Sequence, residues 1–228
     1  MAAASPLPLL PDTHIILPPQ LLPHSAVYAL IAAVGSVTVD CAMRFDKRFK
    51  QAHRYTIADT RGQLRLTLPI CKPHGRPGAL WSDVSISDHD GWWTLHRTAW
   101  ASAYGRTPYY EFYADDFEPL FAPVNEGEVA LHEYIRLADS TVRRLAMITT
   151  PVHYRTDPAE PIAPDAIDLR RISVEMPALP YWQVRGETLG FIPELSVIDM
   201  LFNLGPEMLP ALLERVEHSQ LIKHLEAG

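Results

Sequence analysis

Residues 13–41 read THIILPPQLLPHSAVYALIAAVGSVTVDC, and three textures follow one another within them. Residues 13–17 are a short run rich in β-branched side chains, which favours a strand. Prolines 18, 19 and 23 then fix φ and interrupt any helix, so the chain must turn there. Residues 25–34 are apolar and helix-compatible, with Ser25 placed to cap the start and Gly35 to end the run. Residues 36–41, SVTVDC, form a second β-branched run. Strand, loop, helix and strand within about thirty residues predict a βαβ unit with a parallel pair.

Downstream, QLRLTLPI (residues 63–70) and VSIS (84–87) alternate polar and apolar side chains and predict strands with one wet face. The texture then becomes helical over residues 92–104, 108–121 and 129–148, which are expected to cover the sheet. Six prolines in residues 151–180 predict a long ordered loop or a linker. YWQV (181–184) predicts a short strand, followed by a helix pair with Ser196 as N-cap and a break at Gly205-Pro206. The expected architecture is α/β: an N-terminal βαβ unit and a small mixed sheet, covered by C-terminal helices. Residues 1–12 read as a flexible leader. The C-terminal piece is too small to bury its own core, so residues 13–228 are expected to form one domain.

The chain has 228 residues, 47% hydrophobic and 21% charged, with a net charge of −7, which excludes a disordered chain. Its 21 prolines against 11 glycines imply many rigid loop segments. The apolar N-terminus has no Lys or Arg before Arg44, so it lacks the charged region of a secretory signal. Residues 25–34 are about half of the ~20 that a membrane-spanning helix needs. A cytoplasmic protein with no integral membrane segment is expected. Cys41 and Cys71 are too far apart for a zinc or redox pair and read as two reduced, half-buried thiols. No paired-His, GxxxxGK[ST], GxGxxG or GxSxG motif occurs, so metal-hydrolase, P-loop, dinucleotide and α/β-hydrolase chemistries lose their usual support. No cofactor or metal is expected.

Charge is segregated along the chain. Residues 44–76 carry nine Lys or Arg against two acids, Asp46 and Asp59. Ligands of parallel α/β folds sit beyond the carboxyl ends of the strands, where Lys47, Arg48, Lys50 and Arg54 follow the second predicted strand. The pattern points to an anion pocket for a phosphate, nucleotide sugar or carboxylate. The competing reading is a solvated basic face paired with the acidic remainder. Nucleic acid is not an expected partner, because the whole chain is acidic and a single basic stretch is unspecific.

Trp92, His96 and Tyr104 share one helix face, so His96 is a candidate general acid or base, or else a core histidine with one hydrogen bond. His24, just before a helix N-terminus, could hold a phosphate with help from the helix dipole. Tyr104, Tyr109, Tyr110, Phe112 and Tyr113 form a dense aromatic cluster, by default packing, with some hydroxyls available to a sugar or base. Asp199 lies mid-helix among apolar neighbours and needs a partner, for which an arginine of the basic stretch is expected.

These segments together resemble the WbqC-like protein family. PPQLLPHSAVYALIA carries Pro19, Pro23 and Tyr28 of that family's proline-rich opening. FDKRFKQAHRYTI carries Phe45, Lys47 and Arg54 at matching positions; it departs with Phe45 for the common tyrosine, His53 for an asparagine, and about one inserted residue. Pro69 matches the end of a family strand. Trp92, His96, Tyr104, Pro108, Tyr109, Tyr110 and Tyr113 fall at family spacing, as do Pro180, Phe191, Pro193, Ser196, Asp199, Phe202 and Gly205. The resemblance spans roughly residues 13–210. It implies a setting in the assembly of O-antigen and other bacterial surface polysaccharides and attaches no reaction.

Two functions follow as expectations. One is a transferase acting on an anionic, nucleotide-linked sugar or acyl substrate. In it Lys47, Arg54 and His24 meet the anion, His96 moves a proton, Tyr104 and Tyr109 orient a hydroxyl or ring, and Asp199 belongs to the substrate-binding set. The other is a non-catalytic scaffold that holds envelope-biosynthesis proteins together.

Overall fold

The first parallel pair is built as the opening stretch predicts. In a computed structural model, which describes residues 9–73, 77–125 and 128–219, strand β1 (Leu10–Leu17) leads through the proline loop to helix α1 (Ser25–Ala33) and strand β2 (Val34–Asp40). β1 and β2 pair in parallel, with Ile15 opposite Val37 and Leu17 opposite Val39. Of the expected leader, residues 1–8 lie outside the described residues. Residues 10–12 already belong to β1, because Leu10 is buried opposite Val34.

Two expectations about α1 are corrected. Ser25 is the first helical residue and His24 the N-cap; the Ser25 hydroxyl accepts from Arg215 Nη1 at 2.6 Å and so does not cap the helix. Gly35 lies inside β2, past the helix end at Ala33. A Cβ at Gly35 would stand 1.8 Å from the Pro11 carbonyl oxygen, so the glycine allows β1 and β2 to approach. Every residue of α1 is buried, as expected of a helix apolar on all sides.

Strand β3 (Arg54–Asp59) pairs antiparallel with β4 (Gly62–Thr67), and β5 (Ile70–Cys71) with β6 (Ser85–Ile86), in two separate ribbons. Helix α2 runs over Trp92–Tyr104, as predicted, and packs on β3. The continuous helix expected over 108–121 is a single turn, α3 (Tyr110–Tyr113), and then a 3₁₀ segment, Ala114–Phe121. Pro119 sits in that segment, where it removes a donor and crowds the preceding turn. Helix α4 (Leu131–Leu145) follows.

The proline-rich segment 151–180 contributes two strands, β7 (Val152–Arg155) and β8 (Ile167–Asp168), which fit between its prolines. They complete a four-stranded sheet, β7-β2-β1-β8, parallel throughout. The expected YWQV strand is absent: Val184 N–H donates to Asn203 Oδ1 instead of to a ladder, and Gln183 turns onto the helices. Helices α5 (Gly186–Leu189), α6 (Val197–Leu204) and α7 (Met208–Glu217) close the chain, and α7 packs on α1. Ser196 takes the N-cap position of α6, but its hydroxyl donates to the Leu22 carbonyl at 2.8 Å. Gly205, at φ +53, makes the break between α6 and α7 against the Tyr109 ring.

Cys41 is fully buried and Cys71 half-buried, and no disulfide joins them. Burial, with the Asp40 charge beside it, pushes the Cys41 thiol up to about 12. No described helix is long and apolar enough to cross a membrane.

Candidate functional site

The last residues of three parallel strands are charged: Asp40 on β2, Arg155 on β7 and Asp168 on β8. Asp40 is fully buried. Its Oδ1 accepts from Arg155 Nη1 at 2.7 Å and from the Ala42 N–H at 3.1 Å, and its Oδ2 from Arg170 Nη1 at 2.5 Å. Arg155 gives its other donors to the carbonyls of Glu160 and Pro158. Arg170 also grips Asp168 from Nε (2.9 Å) and Nη2 (2.6 Å). The Asp168 pair raises the Arg170 guanidinium above its ordinary range and lowers the Asp168 carboxyl. One buried carboxylate thus fixes two arginines at the carboxyl edge of the sheet.

The order β7-β2-β1-β8 reverses at β1: the chain steps from β1 to β2 to β7, then returns to the other flank of β1. A crevice beyond the carboxyl ends is the expected ligand position in such a sheet. A cleft of about 700 Å³ opens there, between the continuations of β2 and β8. Arg44, Arg48, Arg170 and Arg171 line it, with Met43, Phe45 and Phe49 as its apolar part and Asp46 and Asp168 as its acids. Phe45 and Phe49 are seated edge-on against the buried Trp81, with centroids at 4.7 and 6.0 Å. Arg48 is held by Asp46 through bonds of 3.0–3.2 Å.

Arg48 lines a second cavity too, of about 340 Å³, with Lys50, Gln51, Arg54, Tyr55, Thr56 and Arg65. It lies on the outer face of the β3–β4 ribbon. Side chains alternate along β3, so Arg54 and Thr56 face outward while Tyr55 and Ile57 face the core.

Of the basic residues expected at an anion pocket, Arg48 lines both cavities and Lys50 and Arg54 line the smaller one. Lys47 is exposed and lines neither. His96 is 2% exposed on the core side of β3: its Nδ1 accepts from the Tyr55 hydroxyl at 3.1 Å, and Tyr55 in turn accepts from Trp100 Nε1 at 2.9 Å. Its other ring nitrogen is left to bond the Thr67 carbonyl. Desolvation lowers its pKa to about 4, so the ring is neutral near pH 7. Tyr104 is fully buried, bonded to the Ala58 N–H at 3.3 Å and to Asp199, and burial raises it well above its ordinary pKa. Tyr109 stacks on Tyr113 at 5.9 Å.

Asp199 does not pair with an arginine of the basic stretch. It accepts from the Tyr181 hydroxyl at 2.7 Å and Gln183 Nε2 at 2.9 Å, because the 181–184 segment crosses it while the basic stretch faces outward. Burial raises its pKa, and these bonds oppose the rise. His24 meets a carboxylate where a phosphate was expected: Nδ1 lies 3.2 Å from Glu194, without hydrogen-bond alignment. Glu194 also takes Arg215 at 2.8 Å, and residues 194–197 cover the start of α1. Asp40, Arg155, Asp168, Arg170 and Arg171 escape a reading of the sequence, although each lies at or just past the end of a parallel strand. Among the described residues no three His, Cys, Asp or Glu are grouped to hold a metal.

The model of the WbqC-like protein family matches residues 18–160. The chain belongs to the WbqC-like family. Membership is consistent with a role in polysaccharide-related biosynthesis. The matched span includes the Met43–Phe49 side of the cleft and every basic residue of the smaller cavity; Asp168, Arg170, Arg171 and the stretch from Pro180 to Gly205 lie beyond it. No curated protein and no solved structure matches the chain.

Proposed function

We propose that the protein is a cytoplasmic transferase of surface-polysaccharide (O-antigen-type) biosynthesis that takes an anionic, nucleotide-linked sugar or acyl substrate in the cleft at the carboxyl edge of the sheet. The observation that carries this reading is the cleft's lining, four arginines against two acids, Asp46 and Asp168, around an apolar floor, with Arg170 anchored by the buried Asp40. Guanidinium groups pair with phosphate oxygens bidentately, and a pre-anchored one loses little entropy on binding. Phe45 and Phe49 offer a flat apolar surface to a ring. His96 and Tyr104 act as positioning residues: they brace the inner face of β3, whose outer face carries Arg54.

A thermal-shift screen with nucleoside diphosphates, nucleotide sugars and acyl carriers tests the reading. A ligand at a hundred times its Kd stabilises the native state by about 2.7 kcal/mol, which such a screen resolves. Stabilisation by a nucleotide-linked ligand that is lost in Arg170→Ala supports the proposal, and no response to any anionic metabolite overturns it. The burial of His96 and Tyr104, which line neither cavity, favours a second reading, a non-catalytic binding protein of envelope assembly. Binding of the same ligands without turnover on any acceptor would select it.

A further inference from the structure

The cavity on the outer face of the β3–β4 ribbon is a concavity of about 340 Å³ whose lining holds four cations, Arg48, Lys50, Arg54 and Arg65, and no acid. In a chain of net charge −7 this composition is unusual, because acids outnumber bases elsewhere. Of the four, Arg48 is paired with Asp46, and many arginines elsewhere are neutralised too: Arg97 by Glu118, Arg136 by Glu133, Arg143 by Asp139, Arg144 by Asp116, Arg155 by Asp40 and Arg215 by Glu194. Lys50, Arg54 and Arg65 have no such carboxylate among the described residues. The Arg54 Nε is buried and has no hydrogen-bond partner, an arrangement that proteins avoid unless something else supplies an acceptor.

Strand register brings the cations together. Arg54 stands opposite Thr67 and Thr56 opposite Arg65, so Arg54 and Arg65 are diagonal neighbours on one face, within reach of a shared ligand. Thr56 and Gln51 add neutral donors to the same space. Cations crowded in this way repel one another, and an oxyanion would convert that repulsion into attraction.

We infer that this cavity is a second anion site, built for a phosphate-type group, so that the protein holds two anionic groups side by side with Arg48 on the ridge between them. Arg48 lines both cavities, and its exposed guanidinium pairs with Asp46. The ligand class is therefore either one molecule with two separated phosphates or a pair of phosphorylated co-substrates. The second site stands on its own lining; its partnership with the cleft rests on the reading proposed above.

Calorimetric titration with pyrophosphate tests the inference. Wild-type protein is expected to bind at two sites per chain. Arg54→Gln and Arg65→Gln each weaken one of them about tenfold or more, Arg170→Gln weakens the other, and Arg48→Gln weakens both. Arg65 is exposed on β4, so its variant keeps the test valid if the half-buried Arg54 proves necessary for folding. One site that survives Arg54→Gln and Arg65→Gln and is lost in Arg170→Gln overturns the inference and leaves the cleft intact. One site lost in Arg65→Gln and untouched by Arg170→Gln upholds the anion site on the ribbon and overturns both the cleft reading and the pairing of two anions. Absence of pyrophosphate binding at low ionic strength overturns it.

Discussion

At the scale of single residues, Asp40 carries the most consequence. Its carboxylate is fully buried and answers two arginines, so Asp40→Asn leaves Arg155 and Arg170 facing a neutral amide. Breaking a buried ion pair from one side costs about 3–5 kcal/mol, and urea unfolding of the variant is expected to register a loss of that order. His96 sets a pH dependence. Its native pKa is about 4, against 6.5 in an unfolded chain, so between these values the unfolded state binds more protons. Stability from this residue is complete above pH 6.5 and is lost as the pH falls towards 4, by at most about 3 kcal/mol. Burial lowers His24, His53 and His132 as well, which adds to the same slope. Denaturant titrations across this range are expected to give a shallower slope for His96→Gln than for the wild type.

Among elements, the close contact of β1 with β2 is the sharpest test. Gly35→Ala sets a methyl group against the Pro11 carbonyl, and the backbone cannot yield without parting the first parallel pair. A loss of about 3 kcal/mol or more, read as a lowered urea midpoint, is expected. Such elements differ in how plainly the sequence announces them. β1, α1 and β2 are legible because hydrophobic periodicity changes twice and prolines mark the change, and Trp92–Tyr104 is legible from its three- and four-residue spacing. β7 and β8 are four and two residues long among prolines, too short for any period to register, and their place in the sheet comes from pairing with β2 and β1. The site was hidden for the same reason. Arg54 follows from charge density, but Asp168, Arg170 and Arg171 acquire meaning only once β8 lies beside β1. YWQV misleads because its alternation serves contacts with Asp199 and Asn203.

For the whole molecule, the ties run between distant parts of the chain. Arg215 of α7 reaches Ser25 of α1, the Met176 carbonyl and Glu194, and α6 enters the core beside β3. We therefore propose that the structure unfolds as one unit, and heating is expected to give coincident transitions by tryptophan fluorescence and far-ultraviolet circular dichroism. Two separated transitions would divide the C-terminal helices from the sheet. Cys41 gives this cooperativity a timepiece. Its thiol follows Asp40 directly, sealed from solvent and held protonated, so an alkylating reagent finds it only in molecules that have come apart. With Cys71 replaced by serine, the slow labelling of Cys41 is expected to count excursions from the native state, and an anion that settles on Arg170 should lengthen the interval between them.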